Sequence, residues 1–389
     1  MRKLRVLLLL HDLSLTGAPK VAADSFEALH SHLDLFTIAL DGGPLMPRFQ
    51  ALGPVQILAD LPAPAPFSHA SLLRAAQAIP RGAILRINGG LARLRLGLRH
   101  WQPDVIYINS VLALHCARYI RLPPAPALLH VHEMGSALDA YTQPVAHLFR
   151  DWPRRYIAVS EAVSQSLVER CGIVREKISV IHAFVTEKEL LPHPASPTST
   201  ASTPLIVGGA GRISWCKGPT LWLLMAAELT KMLGEDRVRF VWVGVASGED
   251  DRRFREMAHK LHLGHLIEFV PVTPRPLEHF ARFDVFAMTS WEDSCPLVVL
   301  ENMLLQKPVV CFAGGGGALE EVGDAGIVIE EFNPSAMAQA IADLAASPEE
   351  RAALGRAARQ RALEQFTVSV QAPKILSEIE RLTPRRSGH

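Results

Sequence analysis

Short, unbroken apolar runs alternate with longer stretches of helical periodicity along the whole chain. In the first half the runs are Val6–Leu10, Leu35–Leu40, Val105–Ile108, Ala127–Val131, Tyr156–Val159 and Ser179–His182. In the second they are Leu205–Gly211, Arg239–Val243, Ile267–Phe269, Val285–Met288, Pro308–Ala313 and Gly326–Ile329. Runs of this length, predominantly apolar, read as buried strands. Helical periodicity fits Pro19–Leu33, Leu72–Ala78, Glu161–Cys171, Pro219–Leu233, Asp251–Leu261, Pro276–Ala281, Pro296–Leu305, Pro334–Ala346 and Pro348–Gln365. Ser160 stands where an N-cap belongs, just before Glu161. Strand–helix alternation of this kind predicts an α/β protein with a parallel sheet in each half and right-handed crossovers.

The two halves are separated by composition. Leu191 to Pro204 reads LPHPASPTSTASTP, a Pro/Ser/Thr stretch with no strand or helix pattern, and is expected to be a linker. A chain of 389 residues suits two domains. Residues 1–190 form the first, 191–204 the linker, 205–366 the second, and 367–389 a last helix with a basic tail. Net charge is +1, so the total offers no argument for a nucleic-acid partner. Its distribution is uneven: no acidic residue falls between Asp60 and Asp104, where Arg74, Arg81, Arg86, Arg93, Arg95 and Arg99 are interleaved with Leu and Ile. Segment 74–99 reads either as a surface for an anionic membrane or acidic acceptor, or as a solvated helix face beside a loop. Five cysteines without a C-x-x-C pair fit reduced thiols in a cytoplasmic protein, at most peripheral to the inner face of a membrane. The apolar run after Met1 ends at His11, too short for a signal peptide core, and reads as a first buried strand.

Candidate chemistry sits where strands end. Thr289 to Glu301 follows the run Val285–Met288, and Pro296 is expected at the first position of the next helix. Free N–H groups there attract anions. Glu292 and Asp293 in the turn can accept hydrogen bonds from sugar hydroxyls. Glu301, more than a turn into the helix, suits a ribose diol or complements the helix dipole. Arg212 and Lys217 flank the loop after Leu205–Gly211, a planar fork and a point charge suited to a diphosphate, or two surface cations in a turn. The run Ala313–Ala318 contains four glycines, among which Gly315 and Gly316 are candidates to bring backbone N–H groups to a ligand; otherwise it is a flexible loop. In the first half, Gly17 follows the first strand and allows close approach of a ligand. His130 and His132 alternate and are expected to face opposite sides, with His132 the better candidate for a cleft. His130-Val-His-Glu133 invites a zinc reading but lacks helical spacing and a third ligand, and no metal site is expected. Glu249-Asp-Asp251 reads as a helix cap rather than a metal triplet.

Taken in order, these pieces resemble the retaining GT-B glycosyltransferases, in particular family four of the glycosyltransferases. Gly211 to Gly218 is similar to that family's G-R-(L/I)-x3-K-G, and Asp293 to Glu301 has the spacing of its E-x7-E, followed by Lys307-Pro-Val-Val310. Ala158–Glu161, Lys177–His182 and Glu321–Gly326 fall where the family has equivalents. The resemblance implies two Rossmann-like domains facing a central cleft, an acceptor-side first domain, a nucleotide-sugar-binding second domain, and a C-terminal helix crossing back to the first. It implies that Arg212 and Lys217 hold the donor diphosphate, Glu301 the ribose, and Asp293 the donor sugar. It further implies that the backbone of Cys295, Pro296, Leu297 and Val298 supports sugar and phosphate, that His132 reaches the donor sugar, and that Gly17 lies near phosphate. Glu321 is carried over together with its equally placed neighbour Glu320. Asp293 in place of a glutamate, Ser294-Cys-Pro296 in place of a glycine-bearing turn, and one N-terminal glycine where many members have two are departures that bear on the donor sugar.

The expected reaction moves a sugar from a nucleoside-diphosphate donor to a hydroxyl acceptor with retention, and needs no metal or other cofactor if Arg212, Lys217 and helix N–H groups neutralise the leaving diphosphate. A nucleotide-sugar epimerase on the same architecture and a non-catalytic nucleotide-sugar-binding protein are the alternatives. A glycoside hydrolase would share the two carboxylates but not the phosphate-binding loop.

Overall fold

A computed structural model describes residues 2–59, 89–186 and 203–383. Among them, the strands form two wholly parallel sheets. The first contains β1 (Leu4–Leu10), β2 (Leu33–Ala39), β3 (Val55–Ile57), β4 (Val105–Asn109), β5 (Ala127–Val131), β6 (Pro153–Ala158) and β7 (Ile178–Val180). Its order is β3-β2-β1-β4-β5-β6-β7. The second contains β8 (Leu205–Ala210), β9 (Val238–Val245), β10 (Ile267–Pro271), β11 (Val285–Met288), β12 (Val309–Phe312) and β13 (Ile327–Ile329), in the order β10-β9-β8-β11-β12-β13. Both sheets have the doubly wound order, which reverses next to the first strand of each, between β1 and β4 and between β8 and β11. Loops leaving the carboxyl ends at such a point diverge to opposite faces and leave a crevice for ligands.

Burial explains why the apolar runs were legible. Val6 to Leu10 of β1 and Val105 to Ile108 of β4 are essentially inaccessible, as central strands covered on both faces must be. In the second sheet, β8 instead carries Gly208 and Gly209, because large rings occupy the space beside it. A methyl group at Gly209 would meet the Trp222 and Trp242 rings at 2.6 and 2.7 Å, and one at Gly208 would meet Phe283 at 2.1 Å. Trp222 and Trp242 pack edge to face with centroids 5.2 Å apart.

Several boundaries differ from expectation. The first helix is Gly17–Ala28, not Pro19–Leu33, because Leu33 is already paired with Leu4 as the start of β2. Strand β3, three residues with one polar, carries too little pattern to be recognised. Pro296 is the N-cap of helix Leu297–Leu304 rather than its first residue: its ψ of 104° is extended. Ser160 caps helix Glu161–Glu169, accepting from the Val163 N–H. Asp251 closes the turn before its helix by accepting from the N–H groups of Ala246 and Gly248. The helix expected over 72–78, most of the linker 191–204 and the tail from 384 lie outside the described residues.

Two compact units result, one from residues up to His182 together with the C-terminal helix from Val368, the other from Ala183 to Thr367. Helix Val368–Leu382 thus returns to the first sheet, packing on helix Gly17–Ala28 and strands β4 and β5. Buried Glu378 anchors it. Its carboxylate accepts from Arg155 Nε at 2.7 Å, Ser179 Oγ at 2.9 Å and Arg381 Nη1 at 2.7 Å.

Candidate active site

In the second unit, three loops leave the carboxyl ends of adjacent strands β8, β11 and β12 and are bound to one another. Cys216, in the loop after β8, accepts through its carbonyl from the N–H groups of Trp291 at 2.7 Å and Glu292 at 3.2 Å. Thr289 Oγ1 donates to the Lys217 carbonyl at 3.3 Å. The turn after β11 is in turn paired with the glycine loop after β12: Asp293 N–H donates to the Gly315 carbonyl and its own carbonyl accepts from Gly317 N–H, each at 2.9 Å. The glycines are needed for this approach. A methyl group at Gly317 would lie 2.2 Å from the Ser294 carbonyl oxygen, and one at Gly315 would lie 2.8 Å from that of Ser290. The glycine run therefore packs against the acidic turn, which neither a ligand-binding nor a flexible-loop reading of the sequence foresaw.

This union sets the electrostatics. Lys217 Nζ forms an ion pair with Asp293 Oδ2, which also accepts from Ser290 Oγ at 3.4 Å. Burial opposes the charge on Lys217, but Asp293 beside it holds the ammonium above the usual lysine range. Glu321, fully buried, lies under the turn and accepts from Cys295 Sγ at 3.0 Å. Burial pushes its carboxyl well above the usual range, with Asp293 adding to the shift and Lys217 opposing it. The Cys295 thiol is likewise pushed far up by burial and remains a donor. Arg212 is exposed, and its guanidinium makes no hydrogen bond or ion pair among the described residues. Leu297 and Val298 open the helix Leu297–Leu304, where the first N–H groups have no partner within the helix. Glu301 is buried on the same helix. Lys217, Asp293, Gly315, Gly316 and Cys295 are thus brought together.

In the first unit, a second polar cluster occupies the carboxyl ends of β1, β4 and β5. Here the expectation for the histidines is corrected. The strand ends at Val131, alternation ceases with it, and the rings of His130 and His132 lie against each other with centroids 4.2 Å apart and planes inclined by 40°. His130 Nδ1 shares a hydrogen bond of 2.7 Å with Tyr107 Oη. His132 Nε2 lies 3.1 Å from Asn109 Oδ1, while Asn109 Nδ2 donates to the Ala18 carbonyl. That second bond orients the amide, so its oxygen faces the ring and His132 carries its proton on Nε2. Burial, with His130 and His11 adding to it, holds His132 neutral far below the usual histidine range. Glu133 accepts from Ser110 Oγ and from the N–H groups of Val111 and His132. It secures Ser110, which adopts a φ of 86° where glycine would be expected. Gly17 is the first residue of its helix, exposed at the carboxyl end of β1.

Two family sequence models match in succession: the Glycosyltransferase Family 4 model over residues 50–189 and the Glycosyl transferases group 1 model over residues 196–361. The chain belongs to the family 4, group 1 glycosyltransferases. Spore coat protein SA of Bacillus subtilis is 26% identical over 67% of this chain and 73% of its own. A D-inositol 3-phosphate glycosyltransferase of Corynebacterium urealyticum is 31% identical over 40% of this chain and 38% of its own length. The structure of Anabaena HepE in complex with UDP and glucose superimposes with a TM-score of 0.74 at 18% identity, covering 98% of this chain and 100% of HepE. At that identity the likeness is one of fold, and it takes in both units of this glycosyltransferase.

Sequence reasoning named most of the residues that the three loops of the second unit bring together but missed their supports. Asn109 and Ser110 left a usable signal, two polar residues directly after the apolar run Val105–Ile108, at the end of a strand beside which the sheet order reverses. Glu321 left none that separated it from Glu320. The structure does separate them, with Glu321 inaccessible beneath the turn and Glu320 partly exposed.

Proposed function

We propose that this glycosyltransferase moves a sugar from a nucleoside-diphosphate donor to a hydroxyl acceptor with retention of configuration. The observation that carries the reading is the convergence of Lys217, Asp293, the glycine loop and the N-terminus of helix Leu297–Leu304 at the carboxyl edge of β8, β11 and β12. As the diphosphate departs, negative charge grows on its oxygens. Lys217, the uncommitted guanidinium of Arg212 and the helix N–H groups supply positive potential without reorganising. That supply is the reason to propose a reaction that needs no metal. Asp293 is suited to accept from donor-sugar hydroxyls and Glu301 from a ribose diol. The neutral, Asn109-oriented ring of His132 suits recognition of a sugar hydroxyl rather than of charge. Family membership favours transfer over the epimerase reading.

The test is a thermal-shift screen against UDP-, GDP- and ADP-sugars, followed by assay of nucleoside diphosphate release with and without acceptor. Release that requires an acceptor supports transfer; equal release without one refutes it. We also propose that helix Gly89–Trp101 meets an anionic membrane. It has no acidic residue, ends in Arg99 and His100, and exposes Leu96 beside buried Leu94 and Leu98. No described helix is long and apolar enough to cross a membrane. Sedimentation with phosphatidylglycerol vesicles but not with phosphatidylcholine vesicles is the expected result.

A further inference from the structure

Lys217 is asked to do two things. It holds Asp293, whose side chain is 10% exposed and whose hydrogen bonds from described residues both fall on Oδ2, leaving Oδ1 without one. In the donor reading it also meets the diphosphate. No second cation among the described residues pairs with Asp293, so within this pair one positive charge faces one carboxylate. A diphosphate adds further negative charge to this balance. A low-dielectric carboxylate left without a counter-charge is strongly disfavoured.

We propose that the Lys217–Asp293 ion pair makes the site discriminate between the nucleotide sugar and the free nucleoside diphosphate. The inference rests on the donor-site reading above. When a nucleotide sugar binds, Lys217 turns toward the diphosphate and the sugar hydroxyls donate to Asp293, so both partners of the pair are satisfied again. Free nucleoside diphosphate offers no hydroxyl at that place, and its terminal phosphate bears an additional negative charge once the sugar is gone. It must draw Lys217 away from Asp293 and then endure repulsion from it. Recapture of Lys217 by Asp293 thus opposes product retention after each transfer.

The experiment is calorimetric titration with UDP, GDP and ADP and with their glucose esters, without acceptor, so that no turnover is needed. Wild type is compared with Asp293→Asn, Asp293→Ser and Lys217→Ala, each first checked by thermal unfolding. Asn keeps the shape and can hydrogen-bond a hydroxyl, but neither repels phosphate nor holds Lys217. The expected result is that both Asp293 variants bind the preferred nucleoside diphosphate roughly tenfold more tightly than wild type, with a smaller gain or a loss for its glucose ester. Unchanged or weaker diphosphate binding in the folded Asp293 variants overturns the proposal. Lys217→Ala separates the two levels. If it binds diphosphate as wild type does, the donor-site reading itself is wrong and the discrimination falls with it. If it loses affinity while the Asp293 variants gain none, only the discrimination is refuted.

Discussion

Gly218→Ala tests whether the loops of the candidate donor site act as one piece. Gly218 has a φ of +61°, in the left-handed region, and sits between Lys217 and helix Pro219–Leu233. A methyl group there would lie 1.9 Å from the Thr289 carbonyl oxygen, where ordinary contact begins at 3.4 Å. The loop after β8 therefore has to retreat from the end of β11 by about 1.5 Å. Left-handed strain costs about 1 kcal/mol. Retreat also breaks the bonds from Trp291 N–H to Cys216 and from Thr289 Oγ1 to Lys217, each contributing about 1 kcal/mol. The expected loss is about 3 kcal/mol in urea denaturation, with donor turnover down roughly 100-fold because Lys217 is displaced by more than an ångström. Gly172→Ala is the matched control: its φ is +68°, yet no atom lies within 4 Å of an added methyl group. It should lose only about 1 kcal/mol and no turnover. Equal stability and equal turnover in the two variants would refute the reasoning, since only the clash distinguishes them.

Three further outcomes follow from the structure. Lys217→Ala and Glu301→Ala should each lose most donor turnover while remaining folded, Lys217→Ala with a lowered unfolding midpoint because Asp293 loses its counter-charge; wild-type transfer rates would remove both from the site. Glu378→Ala leaves Arg155 and Ser179 without their shared carboxylate, and is expected to cost about 3 kcal/mol and to expose helix Val368–Leu382 to limited proteolysis. Burial lowers His130 to about 3 and, together with Arg118, lowers His115 to about 4, from an ordinary 6.5. The unfolded chain then binds more protons than the folded one below about pH 6.5, so stability is complete above that pH and falls as pH drops toward 4. His130→Gln should flatten that slope in urea midpoints measured from pH 7 to 4, and an unchanged slope would show that His130 does not contribute to it.

The fold was legible because its signals are local. A central strand of a covered parallel sheet must be apolar throughout, so β1, β4, β5, β8 and β11 announce themselves in the sequence. The signal fails where burial is partial: β3 is a short edge strand with a polar middle residue, and the end of helix Gly17–Ala28 is decided by pairing of Leu33 with β1. The candidate site residues were legible for a similar reason. Cations, carboxylates and glycines directly after strands stand out against an apolar background.

What stayed hidden is what those residues do to one another. Lys217 and Asp293 are 76 residues apart, and Cys295 and Glu321 are 26 apart. Sequence alone determined that each follows a strand and which chemistry it carries. Only the strand order β8-β11-β12 brings those strand ends side by side, makes one lysine serve the carboxylate of another loop, and seals Glu321 from water, which pushes its carboxyl well above the usual range. Strand order is a property of the assembled sheet. Burial and Coulomb interaction depend on distances that chain position does not encode, so the charges at this site were settled only when the sheet closed around them.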